Sequence, residues 1–361
     1  MKVGIICKPL DRPFSGSGSY LKGLLNGFNE VNHDIDIYIL SYEQLNFDYL
    51  KRYKKIELTG NYLMDHYIIY KQNFDIVHYN PLTIFSPIFV KGLRVTTIHG
   101  ASGVALPKEL GLIRYVHDKY IRSFLVKFMD HIFTVSESSF FWLVKEYGIN
   151  KSLMTLTHNG LSTEMLNFYQ KKNKRNKFSE RSLILHVSNF SKRKNPYMVL
   201  KVFKGIANLN KDVDLVIAGN GWNNPKIQSY IRHHNLNERI SIKGFINDSD
   251  LFDLYSKAKV YFSPSLYEGF GMPNIEAMFF GVPVVISKAF AAGSIVGDAG
   301  HVCESPNDFL FFLESIIKLS TDENYWNKYS NLSIQRSLDF NWVRTASKTI
   351  ETYNSIYKKT V

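Results

Sequence analysis

Two glutamates, Glu268 and Glu276, stand eight positions apart on either side of Gly269 and Gly271. Between them Pro273 suits the first position of a helix, where its missing N–H loses no hydrogen bond and its fixed φ is already helical. The apolar run 260–262 just upstream predicts a strand. Strand, glycine loop and helix N-terminus together make a place for an anion. The glycines let the backbone approach a phosphate closely, and the N–H groups of Phe270, Gly271 and Met272 can donate to its oxygens. Glu268 and Glu276 would then accept hydrogen bonds from sugar hydroxyls on either side of that phosphate. A single glutamate in a βα turn ordinarily faces solvent; the whole eleven-residue pattern 267–277 sets this pair apart.

Further candidates lie where other strands should end. Lys192, Arg193, Lys194 and Asn195 follow the apolar run 183–187, whose continuation carries Ser188 and Asn189. A cationic turn there can stabilise charge building on a departing phosphate, with a solvated basic turn as the alternative. Gly219 opens a glycine turn after the run 214–218, which an ordinary βα turn explains equally well. Gly16 and Gly18 stand in a serine-rich loop between the first strand and a helix, close enough in type to a phosphate loop to contact a ligand. They do not complete a dinucleotide fingerprint, because Leu21 stands where its third glycine belongs. His99 closes the run 94–98, at the strand end where open α/β sheets place ligands, with a structural histidine as the alternative; His78 is secondary. The Asp-x-Asp spellings at 34–36 and 212–214 precede their strands, at the wrong end for a metal diphosphate site, and no paired Cys or His spacing suggests a metal.

The pattern 267–277 resembles the Glu-x7-Glu signature of family 4 glycosyltransferases, retaining enzymes of the GT-B fold. The segments 242–246, 262–265 and 281–285 resemble the same family's nucleotide-side blocks and following strand. The likeness covers most of 180–300 closely and the N-terminal half more loosely. It implies two doubly wound Rossmann-like α/β domains facing a central cleft, and transfer of a sugar from a nucleoside diphosphate sugar to an acceptor hydroxyl with retention of configuration. No cofactor beyond the donor and no metal are implied. On this resemblance Glu276 meets the nucleotide ribose, Glu268 the donor sugar, and Lys194 with the turn amides the departing diphosphate. Thr97-Ile98-His99 matches a segment whose histidine lies near the transferred sugar. Gly16 and Gly18 match a loop facing the donor phosphate, while Gly219 and Phe245 belong to blocks bordering the nucleotide. One departure stands out: Asn189 occupies the position of the arginine in the family's Gly-Arg-x-x-x-x-Lys-Asn block, so Lys192 or Arg193 would have to supply that charge.

The elements needed to hold such a site are legible. A chain of 361 residues exceeds what one core usually supports, and 45% hydrophobic residues can fill two. Strand-like runs at 2–7, 35–40, 76–79, 95–98, 131–135 and 154–157 are followed by a second series at 183–187, 214–218, 240–243, 260–263 and 284–287. Alternation with helical stretches predicts parallel sheets covered on both faces. The basic run 171–177 predicts a linker, giving domains 1–170 and 171–341. The final helix, about 342–361, packs back on the first domain in the resembled fold; from the sequence it could equally cap the second.

A formal charge of +12 and a pI near 9.3 favour an anionic partner: nucleic acid, an anionic membrane or a phosphorylated substrate. Arg114, Lys119, Arg122 and Lys127 lie on one helix without a stacking-aromatic motif, which argues for a solvated or acceptor-facing helix and against a nucleic-acid reader. No run approaches the roughly 18 apolar residues of a spanning helix, and 2–7 is too short for a signal-peptide core, so the expected location is cytoplasmic with any membrane contact peripheral, on the inner face. Cys7 and Cys303 give no disulfide framework. The expected partners are thus a nucleotide sugar and a glycan or lipid-linked acceptor. Rival readings are an epimerase or phosphorylase of related fold and a non-catalytic binding relative, the last kept open by Asn189.

Overall fold

The computed structural model describes residues 1–11, 16–45, 47–100, 102–172, 178–180 and 183–360. They form two compact units, one of Met1–Gly160 with Asn341–Val361 and one of Leu161–Phe340.

In the first unit, short runs rich in Val, Ile and Leu become strands β1 (Lys2–Ile6), β2 (Asp36–Ser41), β3 (Lys54–Glu57), β4 (Ile76–Tyr79), β5 (Leu93–Ile98), β6 (His131–Thr134) and β7 (Met154–Leu156). All pairs are parallel, in the order β3-β2-β1-β4-β5-β6-β7. Because side chains alternate along a strand, the sheet has two buried faces. Ile6, Leu40, Val77, Tyr79, Ile98 and Ile132 point into one core, covered by the helix Tyr62–Lys71, the residues around Leu82 and Ile88, and the helices before and after β6. His78, Thr97 and Phe133 point the other way, toward the helices Gly16–Glu30 and Trp342–Lys358: Tyr20 bonds Thr97 at 3.1 Å, His78 bonds Tyr353 at 2.5 Å, and Tyr353 meets Phe133 edge-on. The final helix therefore completes the first unit. Three glycines make room for Trp342 at its start: a Cβ on Gly23 would lie 2.0 Å from the indole, one on Gly27 2.5 Å from the Trp342 carbonyl oxygen, and one on Gly160 2.3 Å from its amide nitrogen.

The second unit repeats the plan with β8 (Leu183–Val187), β9 (Asp214–Ala218), β10 (Ile240–Gly244), β11 (Ala258–Ser263), β12 (Val284–Ser287) and β13 (His301–Cys303), all parallel in the order β10-β9-β8-β11-β12-β13. The helices Pro196–Leu209, Pro225–His233 and Phe309–Thr321 close a core on Ile184, Leu215, Ile217, Val260, Phe262 and Val285.

The units divide at Gly160 and Phe340 instead of 170 and 341. The reason is packing: the helix Thr163–Lys172 lays Phe168 against Phe252 and Phe280, and Tyr169 against Phe279, all in the second unit. Of the basic run 171–177 that suggested the linker, Lys171 and Lys172 end this helix, and residues 173–177 fall outside the described residues.

Candidate active site

Both sheets reverse their direction of growth once, between β1 and β4 and between β8 and β11. At such a switch point the loops leaving two adjacent strands diverge and open a crevice at the carboxyl edge. In the second unit the loop after β8 carries Arg193 and Lys194, and the loop after β11 carries Ser265 and Glu268. The two loops are tied by Leu266 N–H to the Arg193 carbonyl at 2.8 Å. Across this seam Lys194 Nζ donates to Glu268 Oε1 at 2.5 Å, Ser265 Oγ donates to the same oxygen at 2.7 Å, and Arg193 Nη1 donates to Oε2 at 3.0 Å and to the Tyr267 carbonyl at 2.7 Å.

Glu268 is 7% exposed. Burial pushes its carboxyl up, but Lys194 foremost, then Arg193 and the hydrogen bonds from Lys194 and Ser265, hold it down at about 2, so it is ionised at neutral pH. Lys194 is shifted down: burial lowers it, Glu268 works against that, and Arg193 adds to it. The cluster holds two cations for one carboxylate, with the ammonium short of solvation. A further anion would relieve it.

The backbone under Glu268 is strained. Its N–H bonds the Ala289 carbonyl at 2.8 Å and its carbonyl accepts from Ala291 at 3.1 Å. Ala289 and Phe290 adopt φ of +41° and +68°, where a side chain is disfavoured, and Phe290 stacks on Tyr267 at 4.7 Å. Strain of this kind persists where surrounding packing over-determines it, commonly at functional sites.

Beyond Glu268 the chain turns through Gly269 and Phe270 into the helix Met272–Phe279, with Gly271 at φ +94° as its N-cap residue and Pro273 in the first turn. At that φ a side chain is strained, and a Cβ on Gly271 would also lie 2.5 Å from the side-chain Nδ2 of Asn274, which would have to move aside. Phe270 anchors the turn by packing edge-on against Phe340. Glu276, on this helix, accepts from the Tyr255 hydroxyl at 2.8 Å through Oε2. Burial pushes its carboxyl up to about 7, against the Tyr255 hydrogen bond and with a contribution from Asp248.

Asn189 is a brace: its Oδ1 accepts from the Asn220 N–H at 2.9 Å, joining the turns after β8 and β9. Gly219 makes that junction possible, since at φ +137° a Cβ would lie 2.0 Å from the Ser188 carbonyl oxygen. Phe245, just after β10, is exposed. The second aspartate of each Asp-x-Asp spelling is engaged at the amino end of its strand, Asp36 with Lys54 at 3.0 Å and Asp214 with Arg239 at 2.5 Å.

In the first unit, His99 directly follows β5 and donates through Nε2 to Asn80 Oδ1 at 3.0 Å, while its ring meets Tyr20 edge-on. Burial, with Arg122 adding, pushes it down to about 4, so the neutral ring has its acceptor at Nδ1. Asn80 is fully buried and its Nδ2 has no hydrogen-bond partner among the described residues. Gly16 begins the helix Gly16–Glu30 with nothing within 4 Å of where a Cβ would sit, and Gly18 is buried in its first turn.

Residues 167–336 match the family model described as Glycosyl transferases group 1, and residues 14–165 match that of Glycosyltransferase Family 4. The chain belongs to the family 4 glycosyltransferases. Among curated relatives of this glycosyltransferase, O-antigen chain mannosyltransferase B of Escherichia coli is 29% identical over 47% of the chain, and the matched stretch is 45% of that protein. Two solved structures share its fold over nearly the whole chain. Sucrose-phosphate synthase from Thermosynechococcus elongatus has a TM-score of 0.77 at 16% identity, covering 99% of this chain and 100% of that one. Anabaena Alr3699/HepE, solved with UDP and glucose, has 0.75 at 15% identity, covering 98% and 100%. Both are structures of the GT-B class, in accord with the two parallel-sheet α/β units.

Of the two cations left open for the charge missing at Asn189, the family 4 chain brings Arg193 onto Glu268 and leaves Lys192 exposed. Two contributors escaped sequence reasoning. Ser265, three residues before Glu268, carried a signal in its spacing within the same loop. Tyr255 did not, since it reaches Glu276 from the separate helix Asp248–Lys257.

Proposed function

We propose that this glycosyltransferase moves a sugar from a nucleoside diphosphate sugar to an acceptor hydroxyl with retention of anomeric configuration, in the building of a glycan, polysaccharide or glycolipid. The observation that carries the proposal is the Arg193–Lys194–Glu268 cluster beside the Gly271 turn, with Glu276 on the helix that follows. A diphosphate at that turn is met by the helix N-terminus and by two cations already held in place, Lys194 largely buried and Arg193 partly so, and little reorganisation is needed as the leaving group gathers charge. Glu268 acts first as the positioning residue for both cations. Oε1 is filled by Lys194 and Ser265, whereas Oε2, bonded among the described residues by Arg193 alone, keeps a lone pair for a donor-sugar hydroxyl. Glu276 Oε1 receives no hydrogen bond from the described residues and is the acceptor for ribose hydroxyls. His99 enters by resemblance as the residue near the transferred sugar.

The mannosyltransferase named above and the HepE complex with UDP and glucose support a sugar nucleotide as donor and a glycan as acceptor. No helix among the described residues is long and apolar enough to cross a membrane. The test is a panel of nucleotides and sugar nucleotides read by thermal shift, since a ligand of the folded state raises its apparent stability. Transfer with the donor so identified is then run in excess chelator, and the new linkage assigned by NMR. The expected outcome is metal-independent transfer with retention. Loss of activity on chelation, restored by a divalent ion, would refute the metal-free site, and an inverted linkage would refute the retaining reaction.

A further inference from the structure

The first unit wears large apolar side chains on the outside of the layer that covers its Ile6–Val77–Ile98 core. The clearest run is on the helical segment Leu112–Val116, His117–Ile121 and Arg122–Val126. While Leu125, Val126 and Met129 point into the core, Leu112 (73% exposed), Ile113 (88%), Val116, Tyr120, Phe124 (60%) and Phe128 point out. Steps of four overshoot a 3.6-residue turn, and the wider π-helical turn His117–Ile121 absorbs part of that drift, keeping the stripe on one side. Lysines sit beside it. Lys119 donates to the Tyr115 hydroxyl at 2.6 Å and lies over the Tyr115 and Tyr120 rings, and Lys108 and Lys127 are exposed on the same stretch. The acidic residue in its midst, Asp118, is buried and occupied by Arg114 and Arg122. The same pairing recurs on the helix Tyr62–Lys71 of that layer, with Lys71 over Tyr67 and Lys91 over Tyr70, next to exposed Leu63 and Phe89.

We propose that this outer face docks on an anionic lipid bilayer, the stripe from Leu112 to Phe128 entering the headgroup boundary and Lys108, Lys119 and Lys127 reaching back to lipid phosphates. An apolar stripe edged by lysines and tyrosines matches an interface that is greasy below and negatively charged above. A second copy of the chain is the poorer occupant. The same basic face would meet itself, in a molecule of charge +12, and lysine is depleted from protein–protein contacts.

The experiment is co-sedimentation of the full chain with phosphatidylcholine vesicles, with and without phosphatidylglycerol, in the absence of nucleotide. The wild type is expected to pellet with the anionic vesicles and to be released by high salt. Ile113→Asp/Phe124→Asp should weaken binding by at least about tenfold, the scale for losing a buried apolar side chain. Lys119→Glu/Lys127→Glu should weaken it by about fivefold or more per lysine, with circular dichroism unchanged. Both pairs are exposed, so the second variant stands if the first misfolds. The proposal is overturned if the wild type stays in solution with anionic vesicles, if both folded variants pellet like it, or if light scattering finds a dimer that the first variant converts to monomer. Vesicle binding without nucleotide reads this face alone, so it can fail while the transferase reading holds, and the reverse.

Discussion

Replacing Glu268 by Gln removes one negative charge and leaves Arg193 and Lys194, neighbours on one loop, without the carboxylate that meets them across the seam. Two routes give the size of the effect. The carboxyl is held at about 2 against an ordinary 4.5, which by linkage is about 3 kcal/mol of stability contributed by its ionised form. Removing one partner from a buried ion pair independently costs about 3–5 kcal/mol. Because the folded carboxyl is depressed, this stability is fully present above pH 4.5 and disappears as pH falls toward 2. The two proteins should therefore differ most at neutral pH and converge in acid. Hydrogen exchange read by mass spectrometry on peptides over β8 and β11 isolates the region, which whole-chain unfolding of a two-unit protein would blur. At pH 7, about 3 kcal/mol predicts exchange roughly a hundredfold faster in those peptides, with peptides of the first unit unchanged. A nucleoside diphosphate should restore protection to the variant. Acceleration below about fivefold would refute the reasoning, because the cations would then be held by something other than Glu268.

Three further outcomes follow from the same geometry. Glu276, pushed up to about 7, favours the protonated form in the fold, so its stabilising contribution is complete below pH 4.5 and is lost as pH rises through 7; nucleotide binding, which needs the ionised acceptor, should tighten over that rise. Calorimetric titration should show this dependence in the wild type and a flat profile in Glu276→Gln. Lys194→Ala and Arg193→Ala should each raise the barrier by about 2–4 kcal/mol with saturating donor, while Lys192→Ala, at an exposed position, stays near wild type; equal rates for all three would dissolve the assignment of Arg193. Trp342→Ala should cost about 3–5 kcal/mol in the first unit only, as faster exchange in peptides of the helix Gly16–Glu30 with those of the second unit unaltered.

The sequence made most of the strands legible, and the ones it hid are edge strands. β3 is Lys-Lys-Ile-Glu, nearly all exposed, and such a strand needs charge to discourage pairing with another chain, which erases the apolar signal that betrays interior strands. β13, three residues long at the other sheet's edge, is too short to show a period. The cationic turn and both glutamates were legible because chemistry demanded particular residue types at fixed spacing. Which cation meets which oxygen was not, since that depends on how two loops separated by more than seventy residues lie at a switch point. The lipid-facing stripe was equally hidden: the sequence shows its lysines, but only the π-helical turn decides which side the aromatics share.

Trp342 lies against Gly23, Gly27 and Gly160, and this has a bearing on synthesis. Every residue of the second unit, 161–340, is made before the helix that carries Trp342. At ordinary elongation rates that is roughly 10–40 s during which the first sheet exists with the groove along its first helix unfilled. The second unit, continuous in sequence, suffers no such delay. An emerging chain therefore has its second unit able to close while the first still shows a greasy cleft to any chaperone it meets, and the unit that is begun first is finished last.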